Sequence, residues 1–456
     1  MLFPDFATLA HPRARGGIGG LRPRALRRRS WCLLAVCWGV AQLLAGPGVA
    51  LPQEGSPGAS RPATKSAPAF EFDPKPLAAI DHLMEEAIAR HDCPGGVLWI
   101  EHAGVVHTRA YGRRAVVPKP EPMTPDTLFD AASLTKALAT TPSILILFDR
   151  GKLDLEAPVA RYLPRFQGEG RERVTLRHLL THTSGLRSGL PRQPAWAGYD
   201  AGIERAVAER PEIPPGTEFR YSDINFILLG EVVRVVAGEP LNRFVEREIY
   251  RPLGMRETGF LPGPRLLRRT APTERAGEEM LRGTVHDPSA RLMGGVAGHA
   301  GLFTTAGDLA RYCRMLLNEG TLDGVRILRA ETVRQMASVQ TAEGVAVRRG
   351  LGVDLDSPYS RPRGRHFPIG SFGHTGFTGT CFWIDPFSRT FWILLSSRLH
   401  PDGKGSVLSL QLEIGTLAAE AVTGFDFDHV PGALAPRGTN GAPSGPPRAG
   451  GAAVRR

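Results

Sequence analysis

Strand-forming sequence occurs at the two ends of the central part of this 456-residue chain, and a long helix-rich region separates them. One hairpin is predicted at residues 96–111, turning at Ala103-Gly104, and another at residues 380–395, turning at Asp385-Pro386. Between residues 126 and 320 the apolar residues recur mainly with helical spacing. The sheet must therefore combine strands from both ends of the chain, which greatly restricts the possible folds.

Two amphipathic helices are predicted outside the sheet, one at each end of the central region. Apolar residues from Leu77 to Ile88 share one helical face, which Pro94-Gly95 terminates, and a last helix covers residues 406–422. The predicted fold class is α+β: an antiparallel sheet flanked by N- and C-terminal helices, with a large helical insertion. Such a fold places a cleft between the sheet and the helical region, where polar groups can converge.

Positive charge is concentrated at the termini. Residues 1–50 carry seven Arg and one acidic residue, residues 51–70 add a net +1, and residues 431–456 carry four Arg and no acid, which accounts for the net charge of +11. Residues 71–430 are formally neutral. We therefore predict one folded domain at 71–430 between a disordered linker at 51–70 and a disordered basic Gly/Pro-rich tail at 431–456. No nucleic-acid partner is expected, because a neutral domain lacks the required basic surface.

Residues 1–50 have the pattern of an export signal. An Arg-rich stretch precedes the apolar run Trp31–Ala45, and Gly48-Val49-Ala50 offers a small-x-small cleavage site. An uncleaved anchor is the alternative, although a run of about 15 residues is short against the roughly 20 that span a bilayer. We expect cleavage after Ala50, no stable membrane span afterwards, and a periplasmic or secreted protein.

The cysteines do not indicate a disulfide-rich or zinc-binding protein. Cys93, Cys313 and Cys381 are far apart in the neutral region and form no C-x-x-C pair. The sequence leaves open whether two of these three cysteines form a disulfide.

The first candidate for chemistry is Ser133 with Lys136. Three residues apart on a helix, their side chains lie on one face, close enough for an amine to exchange a proton with a hydroxyl. The start of a helix also favours negative charge on the serine oxygen. By itself, however, the S-x-x-K spacing is more typical of a capping serine and a solvated lysine than of a catalytic pair.

Two further motifs follow along the chain. Tyr221 precedes the helix predicted at 224–237, and its phenol can act as a proton carrier there. Asp223 can either cap the N-terminus of this helix or take part in the site, and both roles stay open. The Gly-rich segment 372–379 leads into a predicted strand, and its glycines let backbone N–H groups approach a ligand.

The three motifs together resemble those of the serine β-lactamase and penicillin-binding protein superfamily. The pattern S-x-x-K, Y-x-N, [K/H]-x-G of its class C β-lactamase-like branch matches Ser133–Lys136, Tyr221–Asp223 and His374–Gly376. This branch includes D,D-carboxypeptidases, D-aminopeptidases and family VIII esterases, and the resemblance covers about residues 75–425 and implies the β-lactamase/transpeptidase-like fold.

The resemblance implies a cofactor-free serine hydrolase that works through an acyl-enzyme. Ser133 would be the nucleophile, Lys136 and Tyr221 would share the proton transfer, and the backbone N–H groups of Ser133 and Phe377 would form the oxyanion hole. The expected substrate is a small molecule or a peptide, cell-wall peptide among them, whose acyl group is part of an amide, an ester or a β-lactam, with a D,D-peptidase or esterase favoured. The alternative is a penicillin-binding or sensor protein that is acylated without efficient turnover.

Further substrate-binding residues are expected on the strand side of the cleft. The resemblance implies that they are Asp223, His374, Thr375, Gly376 and Phe377. Asp223 stands where the family usually has Asn, and we expect its carboxylate to hold Lys136 protonated and shift the role of base to Tyr221. His374 replaces a lysine, and with an ordinary pKa of about 6.5 it is expected to change charge near neutrality.

No metal site is expected. His178 and His182 have a zinc-like spacing but lack the glutamate of H-E-x-x-H. His286-Asp287 and His299 are predicted to serve loop packing, because nothing in the sequence brings them together.

Overall fold

The computed structural model describes residues 71–436. The strands, in chain order, are β1 (Gly95–His102), β2 (Val105–Ala115), β3 (Glu121–Pro122), β4 (Phe129–Asp130), β5 (Gly259–Phe260), β6 (Arg275–Ala276), β7 (Glu279–Met280), β8 (Leu302–Thr304), β9 (Thr321–Leu322), β10 (Val325–Arg326), β11 (Arg348–Arg349), β12 (Asp354–Asp356), β13 (Phe372–Thr375), β14 (Cys381–Asp385) and β15 (Thr390–Ser396).

Nine of the α-helices in residues 71–436 lie between the two predicted hairpins, and the first and the last lie outside them. The α-helices are α1 (Pro74–Ala89), α2 (Thr141–Asp149), α3 (Leu176–Leu180), α4 (Tyr199–Ala208), α5 (Asp223–Ala237), α6 (Leu241–Val245), α7 (Pro264–Leu267), α8 (Pro288–Leu292), α9 (Ala306–Leu317), α10 (Ala330–Met336) and α11 (Leu408–Glu420). A π-helical turn, Lys136–Thr140, leads directly into α2.

Eight strands form one antiparallel sheet in the order β11-β12-β13-β14-β15-β1-β2-β3. The two ends of the chain meet at its centre, where β1 pairs with β15 from Gly96 opposite Ser396 to His102 opposite Thr390. The predicted α+β fold with a composite antiparallel sheet is therefore confirmed. Both predicted hairpins, β1–β2 and β14–β15, are present.

Both faces of the sheet are buried, and successive side chains of its central strands alternate between two cores. On β15, Trp392 and Leu394 pack with α1 and α11 on one face, whereas Phe391, Ile393 and Leu395 pack with the helical region on the other. This double burial explains why the central strands read as almost continuous apolar runs.

The predicted export signal, the linker and most of the basic tail lie outside the described residues, whereas the described chain continues to residue 436, where the Leu434 N–H donates to the Ile369 carbonyl at 2.8 Å. Among residues 71–436, no helix is both long and apolar enough to cross a bilayer. Cys93, Cys313 and Cys381 are all buried free thiols.

Candidate active site

Ser133 lies in a tight turn between β4 and the helical segment that continues into α2. The turn forces Ala132 into the left-handed region, with φ of 47°, a conformation that costs a non-glycine residue roughly 1–3 kcal/mol. The carboxylate of buried Asp130 holds this backbone, because its Oδ1 accepts the Ala132 N–H at 2.8 Å and its Oδ2 accepts the His286 N–H at 2.7 Å. Strain at the turn is therefore offset by hydrogen bonds to a fixed carboxylate.

Lys136 is fully buried beside Ser133. Its Nζ donates to Ser133 Oγ at 3.1 Å and to the His299 carbonyl at 3.0 Å, and it forms an ion pair with Asp223 Oδ1 at 2.8 Å. The three acceptors use the three donors of an ammonium group. Burial alone disfavours the charge, but Asp223 and Tyr221 outweigh it and raise the pKa of Lys136 above its ordinary value. Lys136 is therefore an ammonium at neutral pH, in agreement with the effect expected of Asp223.

Asp223 is the first residue of α5 and not its N-cap. Ser222 occupies the N-cap position, so the interpretation of Asp223 as a cap is wrong. The Asp223 backbone N–H instead donates to the Ser188 carbonyl at 2.7 Å, which turns the carboxylate toward Lys136. The first residue of α5, Asp223, is thus the counter-ion of the buried Lys136.

Tyr221 completes this group of side chains. Its phenol lies close enough to Ser133 and Lys136 for both side chains to lower its pKa. Burial raises the pKa of the phenol, and the ammonium of Lys136 opposes this shift without overcoming it. The structure thus brings together Ser133, Lys136, Tyr221 and Asp223, all of which were selected from the sequence.

A histidine that was considered only as a metal ligand supports Tyr221. The ring of His182 stacks on that of Tyr221, with centroids 4.3 Å apart, and its Nδ1 accepts the Ser222 N–H at 3.0 Å. His178 has a separate role at the start of α3, where its Nδ1 accepts the Thr175 N–H. The two histidines therefore do not act as a pair, and the His182 ring holds Tyr221 in place by packing against one face of its ring.

His374 and Thr375 end strand β13 on the other side of the cleft. The His374 ring is 1% exposed, and its Nδ1 is 2.8 Å from the Thr375 carbonyl, which makes Nδ1 the protonated nitrogen. Burial lowers the pKa of His374 to about 4. The prediction that His374 changes charge near neutrality is therefore wrong, because a desolvated imidazole resists protonation.

Burial of neutral His374 should make folding sensitive to acid. Between about pH 6.5 and about pH 4 the unfolded chain binds a proton at this position while the folded chain does not, so stability falls as the pH falls through this interval. We expect the loss of unfolding free energy between pH 7.5 and pH 4.5 to be about 2 to 3 kcal/mol smaller in His374→Gln than in the wild type. Urea denaturation at both pH values measures this difference.

The exposed His429 provides the control for this measurement. His429→Gln should retain the full acid-dependent loss. Equal losses in His374→Gln and the wild type would show that His374 titrates normally in the folded protein.

The loop after β13 lies directly against the nucleophile turn. Thr378 Oγ1 donates to the Asp130 carbonyl at 2.8 Å and Thr380 Oγ1 to the Ala131 carbonyl at 3.1 Å. At Gly376 a Cβ would stand 2.7 Å from the Ala131 carbonyl, so only glycine permits this approach. The sheet and the helical region are joined at this contact.

Two backbone donors face the cleft at the contact. Within residues 71–436, neither the Ser133 N–H nor the Phe377 N–H has a hydrogen-bond acceptor. The Phe377 ring is 60% exposed and lies between the guanidinium of Arg398 and the ring of His286. These free donors are available to an oxygen atom bound beside Ser133.

Two residues that the sequence analysis assigned to loop packing lie beside the lysine. Asp287 Oδ1 is 2.8 Å from His299 Nε2, and one potential ligand atom from each of Asp223, Asp287 and His299 lies within 4.8 Å of the others. The folding of the 286–299 segment brings Asp287 and His299 to the site, a proximity that nothing in the sequence indicated. These three residues are the group within 71–436 that could hold a metal ion.

Comparison with known proteins agrees with this geometry. The sequence profile of the family described as Beta-lactamase matches residues 80–413. A candidate D-alanyl-D-alanine carboxypeptidase of Escherichia coli K12 is 33% identical over 343 residues, which cover 67% of this chain and 78% of the relative. An N-acetylmuramyl-L-alanine amidase of Bacillus subtilis is 31% identical over 374 residues, covering 72% and 82%.

Solved structures show the same fold. A penicillin-binding protein homologue from Caulobacter crescentus aligns with a TM-score of 0.64 at 22% identity, covering 77% of this chain and 99% of the homologue. A class C β-lactamase aligns with a TM-score of 0.63 at 20% identity, covering 77% and 98%. The fold and the family match together define a serine hydrolase. The chain belongs to the Beta-lactamase family, as the three sequence motifs indicated.

Proposed function

We propose that this protein is an exported hydrolase in which Ser133 forms a covalent acyl-enzyme with an amide or ester substrate. One observation carries the proposal: two proton-carrying side chains lie beside Ser133 Oγ. Lys136 Nζ lies 3.1 Å from this oxygen, and the Tyr221 phenol is close enough to Ser133 and Lys136 for both to lower its pKa. A serine with two proton-carrying neighbours is typical of nucleophilic catalysis.

Tyr221 acts as the base in this proposal. Lys136 is held as an ammonium by Asp223, so it cannot accept the serine proton at neutral pH, but it stabilises the phenolate of Tyr221. Because burial raises the pKa of Tyr221, its phenolate is a minor form at neutral pH that increases as the pH rises. In this form Ser133 Oγ attacks the carbonyl carbon while its proton passes to the phenolate, and the new phenol then protonates the leaving group. In the second step water attacks the acyl carbon and gives a proton to the phenolate, and the resulting phenol returns a proton to Ser133 Oγ as the acyl–oxygen bond breaks, which restores the starting state.

The backbone N–H groups of Ser133 and Phe377 receive the oxyanion. Both donors are free within residues 71–436 and need not break another hydrogen bond to bind it. Loss of one such donor typically costs about 10² to 10³-fold in rate. Asp223, His374, Thr375 and Gly376 line the substrate side of this arrangement, with His374 as a neutral hydrogen-bonding group.

The proposal also includes export from the cytoplasm and a cell-wall peptide as substrate. The pattern of residues 1–50 supports export, with periplasm or secretion as the destination. Relatives named for D-alanyl-D-alanine carboxypeptidase and N-acetylmuramyl-L-alanine amidase activities support a peptide substrate of the D-Ala-D-Ala type or a small ester. The proposed chemistry uses no cofactor.

A substrate panel tests the proposed function. The full chain is assayed on D-Ala-D-Ala peptides, a chromogenic cephalosporin and p-nitrophenyl esters, with Ser133→Ala as the control. Turnover that depends on Ser133 supports the hydrolase, and a peptide or ester is expected to give the largest kcat/KM. A single stoichiometric burst without turnover would instead identify an acylated binding or sensor protein.

Asp223→Asn should shift the pH profile without abolishing activity. The Asp223 carboxylate raises the pKa of both Lys136 and Tyr221. Its removal should therefore lower both pKa values. The basic form of the pair is then reached at lower pH, so the rising limb of kcat/KM should move toward acid by about one to three pH units, the upper value corresponding to about 4 kcal/mol. Rates measured from pH 5 to 10 check this result.

The control for Asp223→Asn is Asp200→Asn, which removes an exposed carboxylate from α4. Its profile should coincide with that of the wild type. An unchanged limb in Asp223→Asn, or a shift toward higher pH, would show that the ion pair does not govern the proton transfer.

A further inference from the structure

One histidine contacts three consecutive residues around the proposed base. The His182 carbonyl accepts the Arg220 N–H at 2.9 Å, and its Nδ1 accepts the Ser222 N–H at 3.0 Å. Between these two bonds the His182 ring stacks on that of Tyr221, with centroids 4.3 Å apart. The backbone is thus fixed on both sides of Tyr221, so the direction of the phenol depends on His182.

The backbone of His182 has an uncommon conformation. Its φ of 57° lies in the left-handed region, which residues other than glycine seldom adopt. Such a conformation persists only where the surrounding contacts determine it, and it is concentrated at active sites. The residue is fully buried as well. His182 is therefore a rigid support for the tyrosine.

The protonation state of His182 follows from the same contacts. Because Nδ1 accepts the Ser222 N–H, a neutral ring carries its proton on Nε2. Burial, together with the positive charges of Arg349 and Lys136, lowers the pKa of His182 well below its ordinary value and favours the neutral ring. A proton on Nδ1 would break the bond to Ser222.

Loss of the Nδ1 acceptor would affect the phenol more than loss of the ring. Ser222 is fully buried, so without an acceptor its N–H would be an unsatisfied donor that only a movement of the chain can relieve. Ser222 follows Tyr221 directly, and a misplacement of about 1 Å can lower a rate by about 10²-fold. The stack has a second support, because the Tyr221 ring also packs against that of Tyr359, with centroids 5.1 Å apart.

We propose that His182 is a positioning residue for the proton transfer at Tyr221 and that it acts through the hydrogen bond from the Ser222 N–H to its Nδ1. His182 Nε2 has no hydrogen-bond partner within residues 71–436, so this ring does not exchange the serine proton itself. The inference deepens the proposed function and rests on Tyr221 as the base.

Two substitutions separate the hydrogen bond from the ring. His182→Asn retains an acceptor near the position of Nδ1 and is a residue type found at positive φ, whereas His182→Ala retains neither property. Stopped-flow release of p-nitrophenol from p-nitrophenyl acetate gives the rate constant of Ser133 acylation and the half-saturating concentration of the ester. His182→Ala should lower the rate constant by about 10²-fold, and His182→Asn should recover at least about tenfold of this loss.

The half-saturating concentration should stay within about threefold of the wild-type value in both variants, because the loss concerns the proton transfer and not ester binding. If His182→Ala does not fold, His182→Gly takes its place, because glycine adopts a φ of 57° without strain. Equal rate constants in the variants with and without the acceptor overturn the inference. A loss that is confined to the half-saturating concentration also overturns it.

His178→Ala is the matched control. His178 Nδ1 also accepts a backbone N–H, that of Thr175 at 3.3 Å, but it does so at the start of α3 and supports Thr175 instead of the tyrosine. Its acylation rate constant should stay within about threefold of the wild-type value. A loss as large as that in His182→Ala would show that any such bond in this region has the same effect, which overturns the inference.

A double variant distinguishes failure of the inference from failure of the proposed function. In Tyr221→Phe, the added His182→Ala should change the acylation rate constant by less than about threefold, because the phenol through which His182 acts is absent. A further loss of about 10²-fold overturns the inference, while Tyr221 keeps its role as the base. Absence of Ser133-dependent acylation, or a wild-type rate in Tyr221→Phe, overturns the proposed function, and the inference that rests on it falls with it.

Discussion

Ser133→Ala is expected to lower kcat/KM by about 10⁴-fold or more, because removal of a nucleophile eliminates the covalent route and leaves only binding and oxyanion stabilisation. The fold should persist, since Ser133 lies in a turn whose backbone is held by Asp130 and Ala132 and not by its own hydroxyl. A serine-reactive acylating probe should add one equivalent of mass to the wild type and none to the variant. Intact-mass spectrometry and peptide mapping measure both.

Ser222→Ala is the control for this experiment, because Ser222 adjoins Tyr221 and its Oγ donates to the Arg187 carbonyl at 2.6 Å. It should retain labelling at Ser133 and most of the activity. Label retained in Ser133→Ala, or found on another serine, would contradict the assignment of the nucleophile.

Tyr221→Phe is expected to lower kcat/KM by about 10²-fold or more, in the range usual for loss of a general base. The change removes one oxygen and leaves the ring in its stack with His182 and its contact with Lys136. The loss should therefore reflect proton transfer and not packing, and the alkaline rise of kcat/KM should change with it. Steady-state rates from pH 6 to 10, together with the thermal midpoint, check both statements.

Tyr359→Phe provides a matched control for the tyrosine. The ring of Tyr359 packs against that of Tyr221 with centroids 5.1 Å apart, but its hydroxyl does not bond to Ser133. Its activity should stay within about threefold of the wild type, a range of less than 1 kcal/mol. Wild-type activity in Tyr221→Phe would assign the proton transfer to Lys136.

Local sequence signals predicted the central elements of the fold well. Gly238 ends α5 with φ of 74°, as expected of a helix C-terminal glycine. The hairpins at both ends of the chain were predicted because apolar alternation and turn residues are local properties. The same holds for Ser133 and Lys136, whose proximity follows from a spacing of three residues.

Long-range contacts could not be predicted from such signals. Asp287 and His299 lie more than 150 residues beyond Lys136 in the sequence, and no periodic pattern connects them to it. Their isolated positions in a loop favoured a packing role. Only the path of the 286–299 segment across the cleft places Asp287 next to Asp223.

The sequence by itself determined the α+β class, the three motifs and the pair Ser133 and Lys136, because each follows from residue type and local pattern. The tertiary structure decided the electrostatics. It buries His374 and lowers its pKa to about 4, and it pairs Lys136 with Asp223 at 2.8 Å. Desolvation depends on the surrounding three-dimensional packing, so residue types alone did not specify that His374 stays neutral, whereas the charge of Lys136 followed from Asp223 in the second motif.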